Sequence, residues 1–433
     1  MTAMNGDGAR GRRALRRLAA VSSLWLLCAG VWGATPEGTA ESGTAAAVAA
    51  PAAGAETPTA SSPPAARQPG VQYDSPGGRF RARAWLRGQL RYSNPFDSPP
   101  QRASRFDDAE GMHLDMRRAR FKGEAQYLNQ EFGSYVSLYY EHELTKARPM
   151  LDLRMDVALR DDLRLRIGQY KVIYNRERVD SSGKQQFAER SIATSPFTID
   201  RQRGVTVTGQ FARDSRANSS IVLGAFEGAG RSPGPRGDDP MLVGRWQWNF
   251  LGRTLGFAQS DTDMRERPAA SLAFAGAHVR GPYTRFSSGG GGQLDGFSSG
   301  GSERYTLQQW MQEFAWQYAG MSVQQEFHVK EIEDHEGGRN SRLTGGYVQA
   351  GKIWRLPAAG RAPLVELAVR AARVDWEDTP RDRTQRELTL AGNLFLSGHD
   401  NKLTADLSWI DVDERAGPQG DDIRFRVQWD LSF

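Results

Sequence analysis

Four arginines recur at odd positions in the stretch FRARAWLRGQLRY, Phe80–Tyr92: Arg81, Arg83, Arg87 and Arg91. Guanidinium groups stay charged at any relevant pH and carry forked donors that match the oxygens of phosphate and carboxylate. The even-numbered Phe80, Ala82, Ala84, Leu86, Leu90 and Tyr92 are apolar, and Trp85 is the single apolar intruder among the odd positions. A strand sends alternate side chains to opposite faces. The stretch therefore predicts a strand with one basic face and one apolar face. In a soluble sandwich the basic face would meet water. In an outer-membrane barrel the apolar face meets lipid and the arginines line a water-filled lumen.

The same alternation puts Arg154, Arg164, Arg166, Lys402, Arg424 and Arg426 on the face opposite the apolar residues of their own segments. A row of such cations concentrates anions in a narrow aqueous path. Asp152, Asp156, Asp406, Asp430 and Glu387 share that face. Arg–Asp pairs across neighbouring strands could equally do no more than hold the wall together. Mild anion preference and an unselective diffusion pore both remain open on the residues alone.

Catalytic and metal chemistry find no support. The six histidines, His113, His142, His278, His328, His335 and His399, are scattered without ligand spacing, so no metal site is expected. There is no nucleophile elbow and no phosphate-binding P-loop. The expectation is a protein that is not an enzyme and needs no cofactor.

The elements that must carry these side chains begin behind an expected leader. Arg10, Arg12, Arg13, Arg16 and Arg17 precede an apolar run, Leu18–Trp32, with small residues at Val31 and Gly33 for cleavage. The run is shorter than the ~20 residues of a spanning helix. Residues 1–33 are therefore expected to be a signal peptide, which excludes a nucleic-acid partner. Cys28, the only cysteine, lies within it. Residues 34–69 form an Ala/Pro/Thr-rich tract without apolar periodicity, expected to be a disordered linker. The chain carries a net charge of +5 at a mean hydropathy of −0.58. Neither value excludes a barrel, whose alternation averages hydropathy down.

Residues 70–433 read as strands with almost no helix. Candidates are Phe80–Tyr92, Met112–Leu128, Phe132–Glu141, Leu151–Arg160, Leu163–Lys171, Gly204–Phe211, Ser219–Glu227, Met241–Phe250 and Thr254–Gln259. They continue with Ala270–His278, Arg304–Tyr318, Met321–Lys330, Leu343–Trp354, Pro363–Val374, Glu387–Leu396, Lys402–Asp411 and Asp422–Phe433. The apolar parity of the second candidate switches near Arg117-Arg118, predicting a bulge. Thr254–Gln259 is the weakest, and an even count leaves about 16 strands. Val172–Arg203 interrupts the alternation, and the Gly/Ser-rich Ser287–Ser302 reads as an exposed flexible loop. A propeller would show a repeat of roughly 40–50 residues, and none is present. The expected fold class is all-β, a transmembrane antiparallel β-barrel. The last segment alternates strictly through Trp429, Leu431 and Phe433 and ends on that aromatic, as expected of a strand read by the barrel-assembly machinery.

LRLRIGQYKVIYNRERVDSSGKQQFAERSIA, Leu163–Ala193, resembles the phosphate-selective porin O and P family, with its G-Q-[FY]-K-V strand end followed by E-R and F-x-E-R-S. Asp200–Gly209, Leu223–Gly230, Gly346–Lys352, Leu388–Asp411 and the closing RFRVQWDLSF continue in family order, so the resemblance covers about Phe80–Phe433. Ile173 stands where the family commonly has Pro, and Glu227 where it has Asn. The resemblance implies a homotrimeric outer-membrane channel set in lipid, with an inward-folded constriction loop and a pathway for small anions such as phosphate. Matching candidates at the constriction are Lys171, Arg176, Arg178 and Arg190, with Arg201 and Arg203 closing the same basic segment. The alternative is a structural or adhesive barrel with a plugged lumen and partner-binding loops.

Overall fold

The computed structural model describes residues 69–433 apart from 107–110, 129–134, 147–149, 232–235, 288–290 and 358–361. The expected leader, 1–33, and the tract 34–69 lie outside the described residues, save Pro69.

The strands are β1 Val71–Asp74, β2 Phe80–Asn94, β3 His113–Leu128, β4 Tyr135–Glu143, β5 Met150–Arg160, β6 Leu163–Lys171, β7 Arg201–Phe211, β8 Ser219–Phe226 and β9 Met241–Trp248. They continue as β10 Ala269–Gly281, β11 Tyr305–Tyr318, β12 Met321–Asp334, β13 Arg339–Arg355, β14 Leu364–Glu377, β15 Arg383–Phe395, β16 Asn401–Glu414 and β17 Gln419–Ser432. Each of β2–β17 pairs antiparallel with its sequence neighbours, and β17 returns to β2 with Phe425 opposite Asn94 and Ser432 opposite Arg87. Among the described residues this is a closed barrel of sixteen strands. The short β1 pairs with the remaining half of β2, from Val71 opposite Ala84 to Asp74 opposite Arg81. It fills the edge that β17 leaves open. Closure matters because a membrane offers an unpaired backbone edge no partner.

The polarity of the barrel is inverted relative to a soluble core. Leu367, Val369, Leu388, Leu390, Leu403, Trp409 and Trp429 are exposed on the outer face, whereas Arg91, Arg424, Arg426, Glu313 and Lys330 are buried inside. Apolar-out, polar-in alternation is what lipid outside and water inside demand. The predicted bulge is present. Gln89 faces Arg118 and Leu90 faces Met116, so Arg117 is the extra residue. It puts Leu114 and Met116 outside together with Phe121, while Arg118, Arg120 and Lys122 point inward.

Two sequence expectations change. β7 starts at Arg201, so Arg201 and Arg203 belong to a strand; the mixed charges of that stretch hide the pairing of Lys171 with Arg201. The stretch Ser287–Ser302 is not simply exposed. Leu294 is buried in the main apolar cluster beside Tyr305, and Asp295 is held by Arg102 at 2.6 Å and by Arg383 at 3.3 Å. Its apolar and acidic residues anchor a segment that its glycines and serines make look unstructured. Thr254–Gln259 forms no strand. It lies in the 249–268 connection, the longest among the described connections at the end of the barrel that carries the chain termini.

Candidate functional site

The connection 172–200 between β6 and β7 folds into the lumen. Its two short helical turns, α1 Arg176–Val179 and α2 Thr194–Phe197, do not satisfy its backbone, and the barrel wall does so instead. Wall carboxylates accept from loop N–H groups: Glu326 from Glu177 at 2.7 Å, Asp406 from Ala188 at 3.0 Å and Glu387 from Ile192 at 3.0 Å. Wall cations donate to loop carbonyls: Lys402 to Gln185 at 2.6 Å, Lys330 to Pro196 at 3.0 Å and Arg370 to Glu189 at 3.1 Å. Buried backbone groups need such partners. The loop is thereby fastened to the wall formed by β9–β17.

This fastening divides the lumen. On the β9–β17 side the inward residues, among them Gln317, Gln349, Glu366, Arg370, Lys402, Asp406, Arg424 and Arg426, are buried. Arg426 clasps Asp406 at 2.8 and 2.7 Å, and Arg370 meets Glu387 at 2.5 Å. On the other side, formed by the first half of β2 and by β3–β6, inward residues keep contact with water. Arg81 and Arg164 are exposed, and Arg83, Lys122, Arg154 and Arg166 are half-buried.

Most of these water-facing cations rest on aromatic rings. Arg83 lies 4.7 Å and Lys122 5.9 Å from the Trp85 ring centroid, Arg154 4.3 Å from Tyr139, Arg164 5.5 Å from Tyr135 and Arg166 5.4 Å from Tyr170. A ring face orients a cation without cancelling its charge. Trp85 is therefore no intruder on the basic face but the platform of two cations. Several carboxylates of this wall are more deeply placed, while Glu124 on β3 is half-buried and accepts from Gln126 at 2.8 Å. Glu141, Asp152 and Asp156 are buried, with Asp156 shared by Arg154 at 3.0 Å and Arg166 at 2.5 Å.

The predicted constriction residues separate into three groups. Lys171 and Arg178 are half-buried; Lys171 donates to the carbonyls of Val179 and Asp180 at 3.2 and 3.1 Å, and Arg178 to Asp200 at 2.8 Å. Burial alone would raise the pKa of Asp200, but Arg178 and Arg201 outweigh it and hold the carboxyl well below its usual range. Arg176, Arg190 and Arg201 are buried. Arg176 pairs with Glu313 at 3.0 Å, Arg190 donates to the carbonyls of Glu177 and Asp180, and Arg201 pairs with Asp152 at 2.6 Å and Glu141 at 3.2 Å. Arg203 lies apart, paired with Glu227 at 2.8 Å in a cleft of about 360 Å³ that Arg236 also lines.

Of the predicted wall arginines, Arg81, Arg83, Arg154, Arg164 and Arg166 face the water-containing side. Arg87, Arg91, Arg424 and Arg426 are buried, with Arg87 donating to Ser181 and Asp430, Arg91 to the Ala188 carbonyl and Arg424 to the Asp97 carbonyl. Trp429 and Phe433 are exposed, and Phe433 exchanges both backbone hydrogen bonds with Leu86 at 2.8 and 3.0 Å. Leu431, on the same outward parity, stands opposite Gly88.

Sequence reasoning missed Lys122, Tyr139 and Glu189. Lys122 was legible once parity is followed past the bulge. Glu189 was not, because its partners converge from three elements: Arg118 at 3.0 Å and Arg117 at 3.4 Å from β3, Arg91 at 3.2 Å from β2, and Arg190 at 3.9 Å from its own loop.

Comparison with known proteins agrees with this architecture. The family model for phosphate-selective porin O and P matches residues 97–430. No curated protein sequence matches the chain. Among solved structures, OmpT, an outer membrane protein of Vibrio cholerae, superposes with a TM-score of 0.50 at 9% identity over 81% of this chain and 98% of that one. An anion-selective porin from Comamonas acidovorans gives a TM-score of 0.50 at 11% identity, covering 81% and 100%. The outer membrane channel DcaP of Acinetobacter baumannii gives 0.50 at 11% identity, covering 83% and 99%. At such identities the likeness is one of fold. The apolar exterior, the polar lumen with its inserted loop, and a family match running from Asp97 in the first long connection to Asp430 in the last strand together show that this chain is an outer-membrane porin and belongs to the phosphate-selective porin O and P family.

Proposed function

We propose that the protein is a passive channel for small hydrophilic solutes and that it prefers anions, phosphate-like oxyanions among them. The observation that carries this reading is the layering of charge on the water-containing wall. Lys122, Arg154 and Arg166 stand toward the water on aromatic supports, while Glu141, Asp152 and Asp156 lie behind them. A solute in the lumen then meets more positive than negative charge on this wall, with Glu124 the half-buried acid among these cations. Several cations in series, none forming a deep pocket, suit conduction better than one tight site. Lys171 and Arg178 would extend the series to the inserted loop. Assembly as a homotrimer rests on family resemblance, while export after removal of residues 1–33, a linker over 34–69 ahead of the 70–433 barrel, and recognition of Trp429, Leu431 and Phe433 by the assembly machinery rest on the pattern of the sequence.

Planar-bilayer recording of purified, folded protein tests the reading. Ohmic conductance with a reversal potential favouring chloride in a KCl gradient is expected. Absence of conductance removes the channel, and a potential favouring potassium removes the anion preference. A second reading, a plugged barrel whose loops bind partners, draws on the buried contacts between loop 172–200 and β9–β17. It requires that the same recording show no ohmic current.

A further inference from the structure

Connections at the chain-terminus end of a barrel are ordinarily short turns, and the one between β11 and β12 is only Ala319-Gly320. The 249–268 connection departs from this and enters the lumen from the end opposite loop 172–200. Leu255, Gln259, Ser260 and Asp261 within it are buried. The Phe257 ring sits between two cations, 5.5 Å from the Arg176 guanidinium carbon and 5.3 Å from that of Arg245.

Polar groups at its tip engage two surfaces. Toward the inserted loop, Arg176 donates to the Gly256 carbonyl at 2.5 Å, the Gln186 N–H to Gln259 Oε1 at 2.9 Å, and Gln259 Nε2 to Gln185 Oε1 at 2.7 Å. Toward the wall, Ser260 donates to Glu366 at 2.9 Å, and Gln317 donates to the Ala258 carbonyl at 2.8 Å. Glu366 also accepts from Gln186 at 2.7 Å, so one carboxylate ties wall, loop and segment together.

We propose that segment 249–268 is a seal and positioning strut. It closes the β9–β16 half of the lumen from the terminus end and holds loop 172–200 in place, so that every solute must pass the cations of β2–β6. The inference rests on the channel reading above. Its physical basis is the kind of side chain it covers. Gln247, Gln317 and Gln349 are uncharged, and Glu366 is an acid. A second aqueous route on this side would bypass Lys122, Arg154 and Arg166 and dilute any selectivity they impose. Phe257, Gln259 and Ser260 are thus positioning residues for selectivity and touch no permeant ion.

Cysteine accessibility and conductance test this together, in a Cys28→Ser background. Ser322 on β12 is buried opposite Gln317, which donates to the segment at Ala258, and it accepts a hydrogen bond from Gln186, so Ser322→Cys is a nearly isosteric reporter. Gln126→Cys on β3 reports the water-containing side. An anionic methanethiosulfonate is expected to modify Gln126→Cys and to leave Ser322→Cys unmodified. Adding Phe257→Ala, Gln259→Ala and Ser260→Ala should expose Ser322→Cys. It should also raise conductance on the order of two-fold, the gain from a parallel route of similar section, while moving the reversal potential toward zero. Modification of Ser322→Cys at the Gln126→Cys rate with the segment intact overturns the proposal, and this arm needs no disruptive variant. So does a folded triple substitution with unchanged conductance and a protected thiol. If the unsubstituted protein shows no current, the channel reading fails, whatever the thiols report.

Discussion

Arg176 and Glu313 are 137 positions apart in the chain and 3.0 Å apart inside the barrel. The Arg176 N–H reaches the second oxygen of the same carboxylate at 3.1 Å, and Arg245 closes on it from β9 at 2.9 and 3.0 Å. All three side chains are buried. One wall acid thus fixes the first turn of the inserted loop and neutralises a second wall cation.

Glu313→Gln leaves two buried guanidinium groups sharing a neutral amide. Breaking a buried ion pair from one side costs about 3–5 kcal/mol. A lowered urea midpoint for unfolding in detergent is the expected outcome, with noisier current as the loop loosens. An unchanged midpoint would show that the loop is held without this carboxylate.

Arg176 and Arg178 are two residues apart but have different surroundings, buried against Glu313 and half-buried against Asp200. Arg178→Ala should shift the reversal potential toward zero with a smaller loss of stability than Arg176→Ala, because Arg201 still faces Asp200. Arg176→Ala should lower stability first. Equal effects of the two substitutions on both measurements would contradict this separation.

Lys122 and Arg154 stand on aromatic rings above the water-containing wall. Unit charges about 10 Å apart in water interact by roughly 0.4 kcal/mol, a factor of about two in partition. Lys122→Gln and Arg154→Gln should each lower the chloride-to-potassium permeability ratio roughly four-fold by that measure, a factor of about two for each ion in opposite directions. Arg424→Gln, buried against Phe96 and the Asp97 carbonyl, should change it less.

Glu189 puts a negative charge among Arg118, Arg91, Arg117 and Arg190. Burial pushes its pKa up, but these four cations outweigh burial and hold it well below the ordinary 4.5. A depressed folded pKa means the charge persists on acidification until the pH falls through that lowered value. Glu189→Gln should therefore raise anion preference throughout pH 4.5–7, while the unsubstituted channel keeps its own selectivity over that window. A rise in the unsubstituted protein between pH 7 and 5 would assign the titration elsewhere.

Asp295 fastens the connection 282–304 to Arg102 and Arg383. Burial would raise its pKa, yet the Arg102 hydrogen bonds and the Arg383 charge keep it below 3.8. Its stabilising contribution is complete above that ordinary value and is lost as the pH falls through the lower, folded one. Asp295→Asn should speed backbone hydrogen exchange in 282–304 at pH 7 and lose the effect once the pH falls below the lowered folded value, where the native carboxyl is itself protonated. Equal exchange at pH 7 would show that Leu294 and Phe297 hold the segment unaided.

The alternation of Phe80–Tyr92 and its successors determined the barrel, its approximate strand number and which face of each strand is polar. A period of two is written directly in the order of residues, and a membrane leaves it one solution. Even the bulge at Arg117 was legible, as a switch of parity. What the order of residues could not decide is which arginines meet water. Arg91, Arg154 and Arg426 have the same parity and the same chemistry, yet Arg154 faces the open side while Arg91 and Arg426 are covered. That difference arises where loop 172–200 and segment 249–268 come to rest, and those positions depend on carboxylates and amides of β11–β16 more than one hundred residues from the loop they hold. Parity is a local property of the backbone. Burial is set by whatever else fills the space, and only the closed barrel brings those residues together.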